Sequence, residues 1–161
     1  MLRQVHDRFA IAACATDEFE MRLGIDRETE KQDVDGSTLI LAFNSVQNEV
    51  SLARLHAFAT TMRSAIRRHP SKTIVLCIGR DNSVGLNMAA VLLGGFLILE
   101  EQVDINQIAA AFQSVDSRFD RESVVGSMKT SVHDCWRAIS HAKSLEWTQL
   151  FCDTEMIPDP H

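Results

Sequence analysis

The amino-acid sequence predicts an α/β domain with a mostly parallel central sheet flanked by helices. Two short apolar runs, residues 37–43 and 73–78, are each followed by a long helical pattern. A strand–helix–strand–loop–helix alternation of this kind packs as a parallel sheet covered on both faces. At 161 residues the chain fits one domain and can bury a real core without covalent staples.

The elements follow in order. Residues 8–15 carry the run Phe9-Ala10-Ile11-Ala12-Ala13-Cys14, which suits a buried strand, although periodicity alone leaves helix open for so short a run. Residues 16–36 hold eight acids against three bases, a net of −5 that accounts for nearly all the excess charge. They read as a solvated loop or exposed hairpin. Asp35-Gly36 signals a turn into the strand 37–43. Leu52, Leu55, Phe58, Ala59, Met62 and Ile66 then recur at three- and four-residue spacing, the stripe of an amphipathic helix. Arg63, Arg67 and Arg68 load its last turns, where positive charge complements the helix dipole, and Pro70 stops it. His56 lies off the stripe and is assigned to the surface.

The second strand, residues 73–78, breaks at Gly79-Arg80-Asp81-Asn82-Ser83. The helix after it, residues 84–99, is apolar nearly all round and is expected to be buried. Its Gly94-Gly95 pair lies inside a helix rather than after a strand, and so serves close packing. Asp104 caps a short helix with Ile105, Ile108, Ala109 and Phe112 on its inner face. A loop covers residues 113–129. Ser131, with Asp134 three residues on, opens the last helix in a pattern resembling a capping box. Val132, Cys135, Trp136, Ile139 and Ala142 or Lys143 lie along one of its sides.

Composition excludes several classes. With 22 acids, 16 bases and a net charge of −6, the chain lacks the basic face of a nucleic-acid binder. Its start has no signal-peptide pattern. The longest apolar stretch, residues 86–99, falls short of the roughly 20 residues that span a membrane. The four cysteines form no CxxC pair, so reduced thiols in an intracellular protein, cytoplasmic or nuclear, are expected, with no metal site and no cofactor.

The position that invites chemistry is the turn after the 73–78 strand. In open α/β sheets ligands sit beyond the carboxyl ends of strands, near helix N-termini that attract anions. Cys77, Gly79, Arg80, Asp81 and Ser83 occupy that position, in the manner of the phosphate loop of cysteine-dependent phosphatases. Such a loop reads Cys, five residues, Arg: the thiolate attacks phosphorus and the arginine grips the oxygens in bidentate fashion. Six residues after Cys77 stands Ser83; after Cys14, Glu20; after Cys135, His141. Arg80 follows Cys77 too closely to close the same cradle. The loop is degenerate, no catalytic residue is assigned, and the chain alone is expected to be inactive. His133-Asp134 resembles the dyad of a metal-dependent phosphohydrolase, but His133 and His141 are about 12 Å apart along a helix, too far to share one metal. No GxSxG elbow, Walker loop or dinucleotide fingerprint is present.

Residues 44–112 are similar to the N-terminal domain of the cell-division-cycle-fourteen family of dual-specificity protein phosphatases. The resemblance rests on the helix 52–68, the strand 73–78, Asp81 in the loop, Asn87-Met88-Ala89-Ala90 opening the buried helix, Gly94-Gly95-Phe96 within it, and the helix 103–112. Thr130-Ser131-Val132-His133-Asp134-Cys135-Trp136-Arg137-Ala138-Ile139 resembles that domain's last helix, and residues 8–15 its first strand. In this family two phosphatase-like domains lie in tandem. The second holds the catalytic cysteine and arginine; the first keeps a similar fold without them and helps select substrates carrying a basic residue after the phosphoserine.

The resemblance therefore implies a dual-specificity-phosphatase-like domain over residues 1–150, with 151–161 a tail or the start of an interdomain linker. It implies a non-catalytic role in phosphoprotein recognition, with a catalytic phosphatase domain as partner, whether the chain is a fragment or a free-standing relative. Asp116, Asp120, Glu122, Asp153 and Glu155 fall in the regions that supply the family's acidic substrate groove. Pro158 and Pro160 depart from the unbroken acidic linker of the family. The alternative expectation is an independent interaction module that binds basic proteins through the acidic face of residues 16–36.

Overall fold

A computed structural model describes residues 2–14, 30–32, 38–43, 50–79, 83–115, 119–125 and 129–147. It is a mixed α/β fold. The strands are β1 (Leu2–His6), β2 (Phe9–Cys14), β3 (Glu30–Gln32), β4 (Thr38–Phe43), β5 (Thr73–Gly79), β6 (Val124–Val125) and β7 (Thr130–Ser131). The helices are α1 (Leu52–Arg68), α2 (Ser83–Glu100), α3 (Ile105–Val115) and α4 (Val132–Ser144). Among the described residues the main sheet runs β1-β2-β5-β4-β3, and β6 pairs with β7 in a small separate ladder.

The predicted strands form the parallel centre of this sheet: β2 and β4 both pair parallel to β5. Both edges are antiparallel, β1 on β2 and β3 on β4. The sheet is therefore mixed rather than mostly parallel. Neither edge strand was legible, because both are short and polar and gain their order from a neighbour. β3 shows that part of the acidic 16–36 stretch is strand; the rest of that stretch lies outside the described residues.

Strand side chains alternate between faces. Phe9, Ile11, Ile74, Leu76 and Ile78 share one face and belong to the same buried cluster as the inner residues of all four helices. Ala10, Val75 and Cys77 point to the other face, are buried as well, and lie outside that cluster. Among the described residues, the buried apolar side chains of the four helices all join the cluster on the first face; what covers Ala10, Val75 and Cys77 lies outside that cluster.

Each helix has a local cause. Ser51 caps α1, its Oγ accepting from the Arg54 N–H at 3.2 Å, and the buried stripe is Leu55, Ala59, Met62 and Ala65. His56 is half-buried rather than on the surface. α2 is long and apolar enough to cross a membrane by length and composition, yet 12 of its 18 residues are buried within the fold. α3 opens on reciprocal caps, Asp104 Oδ1 accepting from Asn106 N–H and Gln107 Oε1 from Asp104 N–H. It also runs to Val115, beyond the expected end. α4 carries the predicted capping box: Ser131 Oγ accepts from Asp134 N–H at 3.0 Å, and Asp134 Oδ2 accepts from Ser131 N–H at 3.2 Å.

The tightest contact joins α2 to α4. Trp136 is fully buried and its Nε1 donates to the Ala90 carbonyl at 3.0 Å. The indole lies on Gly94, where an added Cβ would stand 2.7 Å from the ring's Cε2. Gly95 leaves room instead for the tips of Ile139 and Leu55. Phe112 and Phe119 complete the cluster, with ring centroids 6.2 Å from Trp136. Helix ends are tied down by distant cations. Lys143 Nζ donates to Ile98 O, the Arg8 guanidinium donates to His69 O and Lys72 O, and Arg63 pairs with Glu100 between α1 and α2.

Candidate functional site

The carboxyl ends of β2, β5 and β4 lie side by side, with Cys14 opposite Gly79 and Phe43 opposite Ile78. α2 begins at Ser83, so the chain passes from strand to buried helix in three residues. This is the expected location for a ligand in an open α/β sheet. Its residues are less suited to chemistry than their order suggests.

Cys77 does not end its strand. β5 continues through Gly79, and Cys77 sits within the ladder between Ala12 and Ala42. Its side chain is 8% exposed and disulfide-bonded. A phosphatase nucleophile is a thiolate presented from a loop into a nest of amides; Cys77 is neither a thiolate nor in a loop. The expectation of reduced thiols fails here, because a disulfide is the state of oxidising compartments or of redox control. Gly79 is half-buried, and Ser83 is exposed in the first turn of α2. Arg80 and Asp81 lie outside the described residues.

The other flagged residues are held by structure. Cys135 is a free thiol buried in the α2–α4 seam; burial, then the Asp134 charge, pushes its pKa up and keeps it protonated. Hydrogen bonds from the Ser131 hydroxyl and then from its N–H hold the Asp134 carboxyl below its usual range. His133 stands in the first turn of α4; its N–H donates to Arg121 O, while its buried Nδ1 has no hydrogen-bond partner. Among the described residues no group of His, Cys, Asp and Glu could hold a metal.

Of the expected groove acids, Asp120 and Glu122 are described. Asp120 is exposed, but its Oδ1 accepts from Glu122 N–H at 2.9 Å and closes a local turn. Glu122 is exposed and stands 3.8 Å from Arg121 Nε, a contact of little energetic weight. Asp116, Asp153 and Glu155 lie outside the described residues.

One opening escaped the sequence reading. A shallow, open groove of about 610 Å³ runs along α4, lined by Asp134, Arg137, Ala138, Ser140, His141 and Ser144, with Ile105 of α3 at its edge. The available signal was the 134–137–138–141 spacing, one outward face of a helix whose other face is core. That spacing marks a face, not a groove, and only the placement of α3 forms the edge. Comparison with known protein families and with curated proteins finds no match for this chain.

Proposed function

We propose that this chain is a non-catalytic, dual-specificity-phosphatase-like domain of the cell-division-cycle-fourteen type, and that it assists a catalytic phosphatase domain in recognising phosphoprotein substrates. The reading rests on the resemblance in sequence. One structural observation supports its non-catalytic half: Cys77 is a disulfide-bonded residue inside a parallel ladder, with Ser83 where a phosphatase loop needs arginine. Without a thiolate and a guanidinium fork, neither attack on phosphorus nor neutralisation of the developing charge has an agent.

The test is turnover of phenyl phosphates and phosphopeptides by the purified chain, with and without reductant. The expected result is no hydrolysis above that of Cys77→Ser. Cysteine-dependent turnover that appears on reduction overturns the non-catalytic reading.

A further inference from the structure

We propose that the outer face of α4 is a binding site for a phosphate monoester, held by Arg137 and His141. The inference deepens the reading above and rests on it for the identity of the physiological ligand, but the chemistry of the site stands on geometry alone.

The groove is shallow and open to solvent, with about 610 Å³ against α4 for a ligand laid along it. Two groups on its floor have the donors an oxyanion needs. Arg137 offers a guanidinium fork that matches phosphate oxygens, and His141 offers a ring N–H one turn further along. Residues four apart on a helix are neighbours, so both reach one ligand. Arg137 interacts electrostatically with Asp134 one turn back, and among the described residues neither Arg137 nor His141 makes a side-chain hydrogen bond. Arg8, Arg63, Arg121 and Lys143 by contrast are held by hydrogen bonds or an ion pair to other segments.

Two features orient the ligand. Asp134 lines the N-terminal end of the groove and repels an anion there. Its Oδ2 accepts from both the N–H and the hydroxyl of Ser131, which holds the carboxylate toward the helix cap. The phosphoryl group is therefore placed over the Arg137–His141 half. Ser140 lies between these two in sequence and adds a hydroxyl, whereas the Ser144 hydroxyl already donates to the His141 carbonyl. Ile105 and Ala138 supply apolar surface for the organic part of an ester, which a site for bare inorganic phosphate does not need.

The test follows α4 amide shifts by NMR while the full chain is titrated with phenyl phosphate, and separately with a short phosphoserine peptide and its unphosphorylated twin. Saturable, phosphate-dependent shifts along α4 are expected, with affinity falling tenfold or more in Arg137→Ala and in His141→Ala. Both positions are exposed, and dispersed spectra verify that each variant folds. Phenyl phosphate binding with no binding of the peptide keeps the site and removes the phosphoprotein reading. Peptide binding that neither substitution weakens keeps that reading and overturns the site. Absence of binding by either probe overturns both.

Discussion

The α2–α4 seam and the carboxyl end of β5 are neighbours along the chain but opposites in construction. In the seam, every group has one position: the indole of Trp136 lies on the backbone of Gly94 and its N–H is bonded to Ala90 O. At the end of β5, the cysteine among the residues that resemble a phosphate loop is cross-linked and lies within the ladder. Reactive residue types are thus poor guides to chemistry here. A thiol or imidazole signals function only when the fold leaves it accessible and supplies a partner for it.

Breaking the seam is expected to have the largest effect. Trp136→Ala removes the most buried aromatic surface and the indole hydrogen bond to the Ala90 carbonyl, so chemical denaturation is expected to show a loss of about 3–5 kcal/mol. The β5 side is tested by Cys77→Ser, expected to cost about 2–4 kcal/mol under oxidising conditions and little in excess reductant. Peptide mapping of the non-reduced protein identifies whether Cys14 or Cys152 is the partner. Cys135, by contrast, is expected to resist alkylation until the protein unfolds, since it is buried and protonated.

The two glycines of α2 sharpen the contrast within the seam. Alanine in a helix gains about 1 kcal/mol over glycine. At Gly94 that gain is outweighed, because the added methyl meets a rigid ring, and a net loss of about 1–3 kcal/mol is expected. At Gly95 the obstacles are flexible methyl tips, so Gly95→Ala is expected to fall within about 1 kcal/mol of wild type. A thermal melt of both variants side by side separates packing from propensity.

Smaller effects lie at the ends of α4. Ser131→Ala removes the cap and is expected to cost about 1 kcal/mol at neutral pH. Asp134 has a lowered pKa in the fold, so its contribution is present above the unfolded carboxyl pKa and is lost as pH falls through the folded value. The stability gap between wild type and Ser131→Ala is therefore expected to narrow in acid while the Ser131 hydroxyl's cap on the Asp134 N–H persists. At the other end, Glu146 takes φ 60 while its N–H donates to Lys143 O and the Trp147 N–H to Ala142 O. This is a Schellman ending with a glutamate where glycine is favoured. Glu146→Gly is expected to stabilise by about 0.5–1 kcal/mol.

Much of this fold was legible because its signals are local. The stripe of α1, the apolar girth of α2, the caps at Asp104 and Ser131 and the branched runs of β4 and β5 need only neighbours a few residues away. The glycine pair announced close packing, though not against which partner. The candidate site was less legible. The Cys77 spacing marked a degenerate phosphate loop, yet the same reading placed Cys77 at a strand end and left it a free thiol. Strand ends depend on pairing with β2 and β4, and a disulfide depends on distance between chain-remote residues; neither leaves a trace in local pattern.

By itself, then, the order of residues determined the helices, the three central strands and the absence of an arginine six places after any phosphatase-like cysteine. Tertiary structure alone decided that the four described helices share one buried cluster against the sheet, that the described edge strands run antiparallel, and that Ile105 meets the outer side of α4. Local periodicity tells a residue which way to turn relative to its own helix or strand axis. What stands on the other side of that face is set by packing between segments tens of residues apart, where burial of apolar surface and the pairing of backbone polar groups are satisfied together.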